Sequence, residues 1–550
     1  MSSPDPVADL LAAVRAALGA LGADPGTEPG LERPPKPDLG DYSTNAAMLI
    51  APTLGEAPRA IAERISGELE TRLGGSAERV EVAGPGFVNV FFGDRWHRDA
   101  VATILGSERM GAGGDAGERV LLEFVSANPT GPLTAAGGRG AAYGDSLARV
   151  LALAGDRVER EYYMNDTGTQ IRNFAASIAA RMRDEELPKD GYEGDYIREL
   201  ARELTAAGIE PDDLDALARG GVEAMRRRIE ATLDRFGVRF ENWFSERSLH
   251  ESGAVDETVA LLRESGHVYE SEGATWLRTS DLGDDKDRVL FRSDGDPTYF
   301  VGDIAYHRDK LERGFERMID PLGADHHGYV PRMKAAIAAL GADPDHYEAP
   351  IMQLVSIVEG GERSQMSKRK GEFVTLDELI DDIGADATRF FLLQRSHDTT
   401  VDLDLDLARQ ESQENPVYYV QYAHARIAGI LRKAAAEGAS AGEEAVIAAA
   451  TGERALAMAC EPAERELIRR LLELPGEVQQ AADKRAPHRL CAYATAVAAD
   501  FHAFYRDCRV VGADAEAEGL EAARLGVCLA TARVIDATLG LLGISAPDEM

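Results

Sequence analysis

Hydrophobic and polar positions follow a regular pattern in the stretch that begins at residue 119. Arg119–Ser126 is almost continuously apolar, which is typical of a parallel strand buried on both faces. A glycine-rich turn and a helix through Ala154 follow, then a second strand at Val158–Tyr163 and a helix at Thr169–Arg183. This order of strand, glycine-rich turn, helix and strand predicts an α/β domain with a Rossmann-type, doubly wound parallel sheet.

The same alternation is interrupted and then resumes. Charged helical segments at about 185–265 predict a helical insertion. Beyond them the pattern predicts strands at Arg288–Phe291, Arg317–Leu322 and Ile351–Val358, and a strand end that enters a helix at Tyr299–Asp303. It also predicts a helix at Pro331–Leu340 and a capping box that opens a helix at Thr375–Glu378. We therefore assign residues 118–395 to the α/β domain.

Two regions of different pattern flank this domain. Residues 1–110 combine an N-terminal helix, a helical pattern from Tyr42 to Leu73 and a strand pair around Val80–Phe92, which predicts a small α+β domain. A glycine-rich segment at 111–117 is typical of a linker. Residues 396–550 are rich in alanine and leucine with helical periodicity, so they predict an all-α domain.

Composition narrows the class of protein. The 550 residues are 44% hydrophobic and 28% charged, which suits a large soluble protein of about three or four domains. No apolar run approaches the roughly 18 residues of a membrane span, and the N-terminus does not resemble a signal peptide. The four cysteines form no C-x-x-C pair, so we expect buried thiols in a reducing cytoplasm rather than a zinc site or disulfides.

The net charge of −35 argues at first against a nucleic-acid partner, because phosphate binding relies on lysine and arginine. Residues 401–550 hold 15 basic and 24 acidic residues, a charge of −9, and the other 400 residues carry the remaining −26. The acidity is therefore nearly uniform along the chain and conceals no basic domain. Net charge bears on solubility and steering, however, and does not decide a local site.

The turn after the first sheet strand is the first candidate site. Glu123 and Asn128 lie there, at the sheet edge where ligands of open α/β sheets bind. Gly138 and Gly140 suit a phosphate-binding helix start, but Tyr143 replaces the third glycine of the dinucleotide fingerprint, and no P-loop ending is present. Tight packing explains a glycine-rich turn equally well. A carboxylate at the end of an apolar strand needs a cation.

Two further segments could serve the same crevice. Tyr299 and Asp303 could add a ring and a second carboxylate, a set that suits a planar guanidinium, although an ordinary exposed helix start would look the same. Asp325 and His326, in a glycine-flanked loop, suggest a phosphate, ribose or metal contact. No further metal ligand has suitable spacing, so we expect no protein-bound metal.

A basic segment at Arg363–Gly371 contains Met366, Ser367 and Lys368. Such a loop in front of a capped helix can clamp the phosphates of a leaving group. A solvated basic loop is the alternative.

These segments resemble a known family. Met366-Ser-Lys-Arg-Lys-Gly is similar to the second signature of class I aminoacyl-tRNA synthetases. The stretches EFVSANPTGPL, REYYMNDTGTQI, GADHHGYVPRM, MSKRKGEFVTLDELI and ENPVYYVQYAHARI resemble arginyl-tRNA synthetases specifically, and the similarity runs essentially from end to end. The resemblance implies a Rossmann-type catalytic domain between an N-terminal domain that contacts tRNA and a C-terminal α-helical anticodon-binding domain.

The resemblance also implies a role for each matching residue. Arginine would be held by Glu123, Asn128, Tyr299, Asp303 and His326, and ATP by Gly137, Gly138, Asp325, Met366, Ser367 and Lys368. Thr134, Gly137 and Lys368 would be the catalytic positions. Phe87 and Asn89 would contact the tRNA elbow, and Tyr419 and Tyr422 the anticodon.

The implied activity is arginine–tRNA ligation. ATP, accompanied by Mg²⁺, would activate L-arginine to arginyl-adenylate with release of pyrophosphate, and the arginyl group would pass to the 3′ end of tRNA(Arg). Such in-line transfer depends on positioning and charge stabilisation more than on a protein nucleophile. We expect a cytoplasmic monomer without a membrane partner.

The first signature departs from the class pattern. Where class I enzymes have His-x-Gly-His, this chain has Thr134-Ala-Ala-Gly137, so both histidines are absent. Losing a strong donor to a phosphate costs roughly 1.5–3 kcal/mol. Three hypotheses follow: an active arginyl-tRNA synthetase, a catalytically silent paralogue that binds tRNA or arginine as a regulator, and a related ligase that charges another amine-bearing substrate.

Overall fold

The computed structural model describes residues 5–24, 26–114, 117–363, 374–439 and 442–550. Its N-terminal elements, in chain order, are α1 (Pro6–Ala20), β1 (Leu31–Glu32), β2 (Tyr42–Thr44), α2 (Ala46–Leu54), α3 (Pro58–Leu73), β3 (Ala77–Ala83), β4 (Phe87–Phe92) and α4 (Asp94–Gly106). The strands form an antiparallel sheet in the order β1-β2-β4-β3, so the predicted strand pair is confirmed. The helical prediction from Tyr42 is wrong at its start, because Tyr42–Thr44 pairs with β4.

The next elements build the central sheet. They are β5 (Arg119–Glu123), α5 (Ala135–Ala154), β6 (Arg157–Met164), α6 (Gly168–Met182), α7 (Asp195–Ala206), α8 (Leu214–Arg235), β7 (Asn242–Ser245), α9 (Glu246–Glu251), α10 (Ala254–Glu264), β8 (Val268–Ser271), β9 (Ala274–Leu277), β10 (Arg288–Phe291), α11 (Tyr299–Glu312), β11 (Arg317–Ile319), β12 (Leu322–Gly323), α12 (Tyr329–Ala339), β13 (Tyr347–Glu348), β14 (Ile351–Met352), β15 (Val355–Glu359) and β16 (Glu362–Arg363).

A five-stranded parallel sheet lies at the centre, in the order β13-β11-β5-β6-β7. From β7, this is the Rossmann order 3-2-1-4-5, which confirms the predicted fold class. The topological switch point lies between β5 and β11. The prediction that 185–265 is a purely helical insertion is wrong, because β7 within it is an edge strand of this sheet.

Three other predictions in this region are corrected. The strand predicted at Arg317–Leu322 is divided into β11 and β12, which belong to different sheets. Tyr299–Asp303 does not end a strand, because it forms the first turn of α11, whereas the preceding β10 belongs to an antiparallel sheet with β8 and β9. The single strand predicted at Ile351–Val358 is divided into β14 and β15, which pair with different partners. A short polar interruption in a run of β-branched residues looks the same whether the strand continues or breaks there, so the sequence pattern does not reveal the break.

The remaining elements are α13 (Leu376–Leu393), β17 (Val401–Asp404), α14 (Leu405–Ala408), α15 (Pro416–Ala436), α16 (Glu443–Ala450), α17 (Glu453–Leu456), α18 (Pro462–Leu471), α19 (Leu474–Asp483), α20 (His488–Asp507) and α21 (Leu520–Leu542). The capping box at Thr375 and Glu378 is confirmed at the start of α13. Among the described residues after 396, the elements are helices and a single strand, β17, which pairs in parallel with β15.

One helix qualifies a prediction from composition. By length and apolar character alone, α21 could cross a membrane, contrary to the expectation that no segment approaches this limit. In the structure 72% of its most apolar window is buried, and it packs against α4, α15, α16 and α20. It is the central helix of the C-terminal bundle.

Candidate active site and tRNA-binding surface

A buried ion-pair network lies at the switch point of the central sheet. Lys310 Nζ, from α11, lies 2.7 Å from Glu123 Oε2 at the end of β5 and 2.9 Å from Asp320 Oδ2 just beyond β11. His307 Nε2 is 3.0 Å from the same Asp320 oxygen. Burial lowers the pKa of Lys310, but the two carboxylates outweigh it and hold the pKa above its usual value. Glu123 thus meets the cation that its position requires, and that cation belongs to the protein.

The turn after Glu123 is held in an unusual conformation. Val125 and Ser126 have φ values of 67° and 38°, in the left-handed region that disfavours a β-branched residue. Ser126 Oγ donates to Glu123 Oε1 and accepts from the backbone N–H of Tyr163, at 2.9 and 3.2 Å. These bonds fix the path of the chain toward Asn128.

Two acidic side chains are crowded behind this turn. Asp303, in the first turn of α11, accepts a hydrogen bond from the hydroxyl of Tyr329. Burial, reinforced by the charge of Glu123, raises the pKa of Asp303 to about 6. Glu246, the first residue of α9, is 5% exposed, and burial together with Asp303 and Asp166 raises its pKa to about 7. A Cβ placed on Gly302 would lie 3.7 Å from Glu246 Oε1, which locates this carboxylate against the first turn of α11.

One of these acids has unused hydrogen-bonding capacity. Hydrogen bonds from Tyr163 and Thr167 oppose the rise in the pKa of Glu246, but its Oε2 atom is buried and has no hydrogen-bond partner within the described part of the chain. Buried carboxylate oxygens are expensive to leave unpaired. Together with the raised pKa of Asp303, this indicates a pocket that is complementary to a cation.

The mouth of the pocket holds Asn128 and Tyr299. Asn128 Nδ2 donates to Gln170 Oε1 in the first turn of α6, at 2.7 Å. Tyr299 is 62% exposed, and a Cβ on Gly168 would lie 3.7 Å from its hydroxyl oxygen. Both predicted residues therefore flank the N-terminus of α6 and face the same crevice.

The N-termini of α5 and α13 lie side by side at the same edge of the sheet. Thr134 and Thr375 form an isolated bridge, Ala135 N–H donates to Val374 O at 3.1 Å, and Leu376 N–H donates to Leu133 O at 2.8 Å. Thr134 caps α5 by accepting from Gly137 N–H at 3.4 Å, so this backbone donor is partly used and the hydroxyl proton remains available. Two helix N-termini in one place favour an anion.

The glycines of α5 differ in their roles. A Cβ on the buried Gly138 would lie 2.8 Å from Leu376 Cδ1, so a larger residue here would force the Leu376 side chain to move. Gly137 has only ordinary contacts with Leu133 and lies nearer the surface. The neighbouring Arg139 is buried and donates to the carbonyl oxygens of Gln353, Ser396 and Thr399. The packing explanation of this turn therefore holds for Gly138.

A second cavity, of about 560 Å³, lies in the C-terminal region. Tyr418 and Tyr422 line it with parallel rings 6.2 Å apart, and the Arg426 guanidinium lies 4.6 Å from the ring centre of Tyr505. The other lining residues are Glu411, Ser412, Gln413, His502 and Arg506. Aromatic faces beside arginines suit the stacking of nucleic-acid bases. We call this cavity the aromatic groove.

Three family models match successive parts of the chain: the arginyl tRNA synthetase N-terminal domain at 8–92, the catalytic domain of class I (R) tRNA synthetases at 210–415 and the DALR anticodon binding domain at 420–550. A curated arginine–tRNA ligase of Carboxydothermus hydrogenoformans is 45% identical, with 98% of this chain and 97% of the relative aligned. That of Geobacillus kaustophilus is 47% identical over 98% of this chain and 97% of its own length.

The solved structures give the same result. The Thermus thermophilus arginyl-tRNA synthetase matches with a TM-score of 0.78 and 26% identity, covering 98% of this chain and 99% of that one. The chain belongs to the arginyl-tRNA synthetase family. The resemblance that we inferred from the sequence motifs is thereby confirmed.

The other predicted residues of this synthetase-family chain have different surroundings. Asp325 and His326 lie in an exposed helical turn at Ala324–His326, with Asp325 Oδ2 3.6 Å from His326 Nε2. The His326 ring meets the edge of Tyr329, which carries the hydrogen bond to Asp303. No cluster of three or more metal-ligating side chains occurs within the described ranges. Met366, Ser367 and Lys368 lie outside the described residues.

The residues predicted to contact tRNA differ in their exposure and surroundings. Tyr422 lines the aromatic groove, whereas Tyr419 is half-buried with its ring 4.9 Å from that of His502 and lies outside the lining. Asn89 is buried in β4 and accepts a hydrogen bond from Ser43, and Phe87 is half-buried at the start of the same strand. Contacts of Phe87 and Asn89 with tRNA stay predictions.

Sequence reasoning missed two residues. Glu246 went unnoticed because the strand in front of it, β7, was taken for part of a helical insertion. Tyr418 had a usable signal, since positions 418, 422 and 426 share one face of α15 at a spacing of four, whereas 419 lies on the next face.

Proposed function

We propose that this chain is an arginine–tRNA ligase, which activates L-arginine with ATP, releases pyrophosphate and transfers the arginyl group to the 3′ end of tRNA(Arg). The observation that carries the amino-acid assignment is the pair of buried acids, Asp303 and Glu246, in which Glu246 Oε2 has no hydrogen-bond partner among the described residues. A guanidinium is planar, permanently charged and carries five donors, so it can satisfy both acids at once.

The buried acids have different roles in the proposed binding of arginine. Asp303 and Glu246 receive the guanidinium, and Tyr299 closes the pocket from the exposed side. Glu123 is occupied by Lys310, so it shapes the turn and contributes to the electrostatic field near Asn128 instead of forming the main salt bridge to the substrate. We assign the α-amino and carboxylate groups of arginine to Asn128, which bonds to Gln170, and to His326, whose ring meets that of Tyr329.

ATP binding uses the paired helix N-termini. The phosphates lie at the start of α5 and α13, where Thr134 can donate its hydroxyl proton and Gly137 offers backbone. Met366, Ser367 and Lys368 lie outside the described residues, and we assign them to ATP from the resemblance of their motif to the second class I signature. Mg²⁺ accompanies ATP and neutralises phosphate charge when it is bound. Gly138 supports the site through helix packing, and we assign Asp325 to ATP from the resemblance alone.

The chemistry then follows from positioning. The carboxylate of bound arginine attacks the α-phosphorus of ATP, and the bond to pyrophosphate breaks as charge develops on the leaving oxygens. The helix N-termini, the Thr134 hydroxyl and Lys368 stabilise that charge. A ribose hydroxyl at the 3′ end of tRNA then takes the arginyl group and releases AMP. The aromatic groove holds the anticodon bases, and we propose a cytoplasmic monomer.

ATP–pyrophosphate exchange with arginine, measured with and without tRNA, tests this function. We expect exchange that depends on arginine and is supported by tRNA. Asp303→Ala should raise the arginine KM strongly and leave tRNA affinity unchanged. Bound tRNA with no exchange under either condition would instead identify a silent paralogue, and faster exchange with another amino acid would identify a different ligase.

A further inference from the structure

A basic surface lies at the C-terminal end of α6, whereas the crevice with Asn128 lies at the N-terminal end of this helix. A cavity of about 450 Å³ is formed there by α6 and α7, and three arginines line it: Arg181, Arg198 and Arg202. Arg198 and Arg202 are four residues apart on α7, so they project from the same face of that helix. We call this surface the α6–α7 basic cavity.

The three arginines have no partners of their own. No ion pair or hydrogen bond to their side chains occurs within the described part of the chain, and Arg181 Nε is buried without an acceptor. Two of the three acids of α7, Glu199 and Glu203, form ion pairs with arginines of α8, and the third, Asp195, is exposed in the first turn. In a chain with 95 acidic and 60 basic residues, three unpaired arginines around one cavity need an explanation.

Helix electrostatics accounts for only part of this arrangement. Arg181 lies in the last turn of α6, where a cation is favourable at the negative end of the helix dipole. Arg198 lies at the end of the first turn of α7, where the helix dipole disfavours a cation, and Arg202 precedes the last turn, so this effect explains neither position. Their placement fits an external anion better.

The position of the cavity identifies the kind of anion. In the transfer step, the 3′ end of tRNA must reach the crevice beside Asn128, which bonds to Gln170 at the start of α6. Arg181 lies eleven residues further along the same helix, a distance of about 16 Å. A stacked strand rises about 3.4 Å per nucleotide, so phosphates about five nucleotides from the 3′ end would reach this end of α6 if the strand follows the helix.

We propose that the α6–α7 basic cavity binds the phosphate backbone of tRNA close to its 3′ end, as a contact separate from the aromatic groove. This inference rests on the proposed tRNA-charging function. Guanidinium groups bind phosphate oxygens in a bidentate manner and without sequence preference. The cavity thus positions the acceptor strand and takes no part in recognising its bases.

The test is tRNA(Arg) binding by the full chain and by the double variant Arg198→Ala/Arg202→Ala, measured by filter binding over a range of salt concentrations. Two lost exposed ion pairs should weaken binding about 2- to 30-fold. The slope of log affinity against log salt should fall by about 1 to 2. The charging kcat at saturating tRNA should not change, and Arg198→Lys/Arg202→Lys should restore most of the affinity.

Arg219→Ala is the matched control, since Arg219 is exposed on the neighbouring α8 and does not line the cavity. Unchanged affinity and salt slope in the double variant would overturn the proposal. The proposal would also be overturned if the double variant lost the binding of inorganic pyrophosphate in calorimetry but kept normal tRNA affinity. The cavity would then be a site for a small free anion. If the parent chain binds tRNA but charges none, the proposed function fails, and weaker binding by the variant still supports the cavity.

Discussion

Replacing Glu246 with glutamine should affect stability and substrate binding in opposite directions. The buried carboxylate ionises with a pKa of about 7 in the folded chain, against an ordinary value of 4.5. The folded state therefore holds a proton that the unfolded state releases between these two values, and Glu246 lowers stability as pH rises through that window. Above pH 7 the cost reaches about 3 kcal/mol, at 1.36 kcal/mol for each pKa unit.

The uncharged glutamine removes this cost but also removes a salt bridge to the substrate. In the absence of arginine, the free energy of unfolding of Glu246→Gln should exceed that of the parent by up to about 3 kcal/mol at pH 8, and the difference should disappear below pH 4.5. The arginine KM should rise about 10- to 150-fold, as expected for the loss of a charged hydrogen bond worth about 1.5–3 kcal/mol.

Urea unfolding at pH 5 and pH 8, together with arginine kinetics, measures both effects. Glu251→Gln is the matched control, because Glu251 lies on the same short helix and is exposed. A variant that is no more stable than the parent at pH 8, or that keeps the parent's arginine KM, would refute the assignment of Glu246 to an unsatisfied cation pocket.

Three further substitutions test other parts of the structure. Lys310→Met leaves two buried carboxylates without their cation and should cost about 3–5 kcal/mol in urea unfolding; unchanged stability would show that the network is not needed. Tyr418→Ala should weaken tRNA binding by about 1–3 kcal/mol through lost base stacking, and Tyr419→Ala should weaken it less; the reverse order would mean that the aromatic groove is misplaced. Gly138→Ala forces a methyl group against Leu376 and should cost about 1–3 kcal/mol in thermal unfolding, whereas a neutral result would show that α13 can shift.

Local sequence patterns were sufficient for much of the architecture. The apolar run at β5, the glycine-rich start of α5 and the capping box of α13 each depend on a few neighbouring residues. Each element begins where it was predicted, although β5 ends at Glu123, three residues before the predicted end at Ser126. The strands β7 and β17 were missed, because each is short and its neighbours in the sheet come from distant parts of the chain. Pairing of this kind leaves little trace in a local window.

The site shows the same division between local and distant information. The sequence by itself identified Tyr299 and Asp303 as a ring and a carboxylate suited to a guanidinium, and it showed that Glu123 needs a cation. Only the tertiary structure supplied that cation, Lys310, and brought Glu246 against the first turn of α11. The physical reason is that desolvation and charge pairing depend on which side chains meet in space, whereas helix caps and strand patterns are fixed by residues adjacent in the chain.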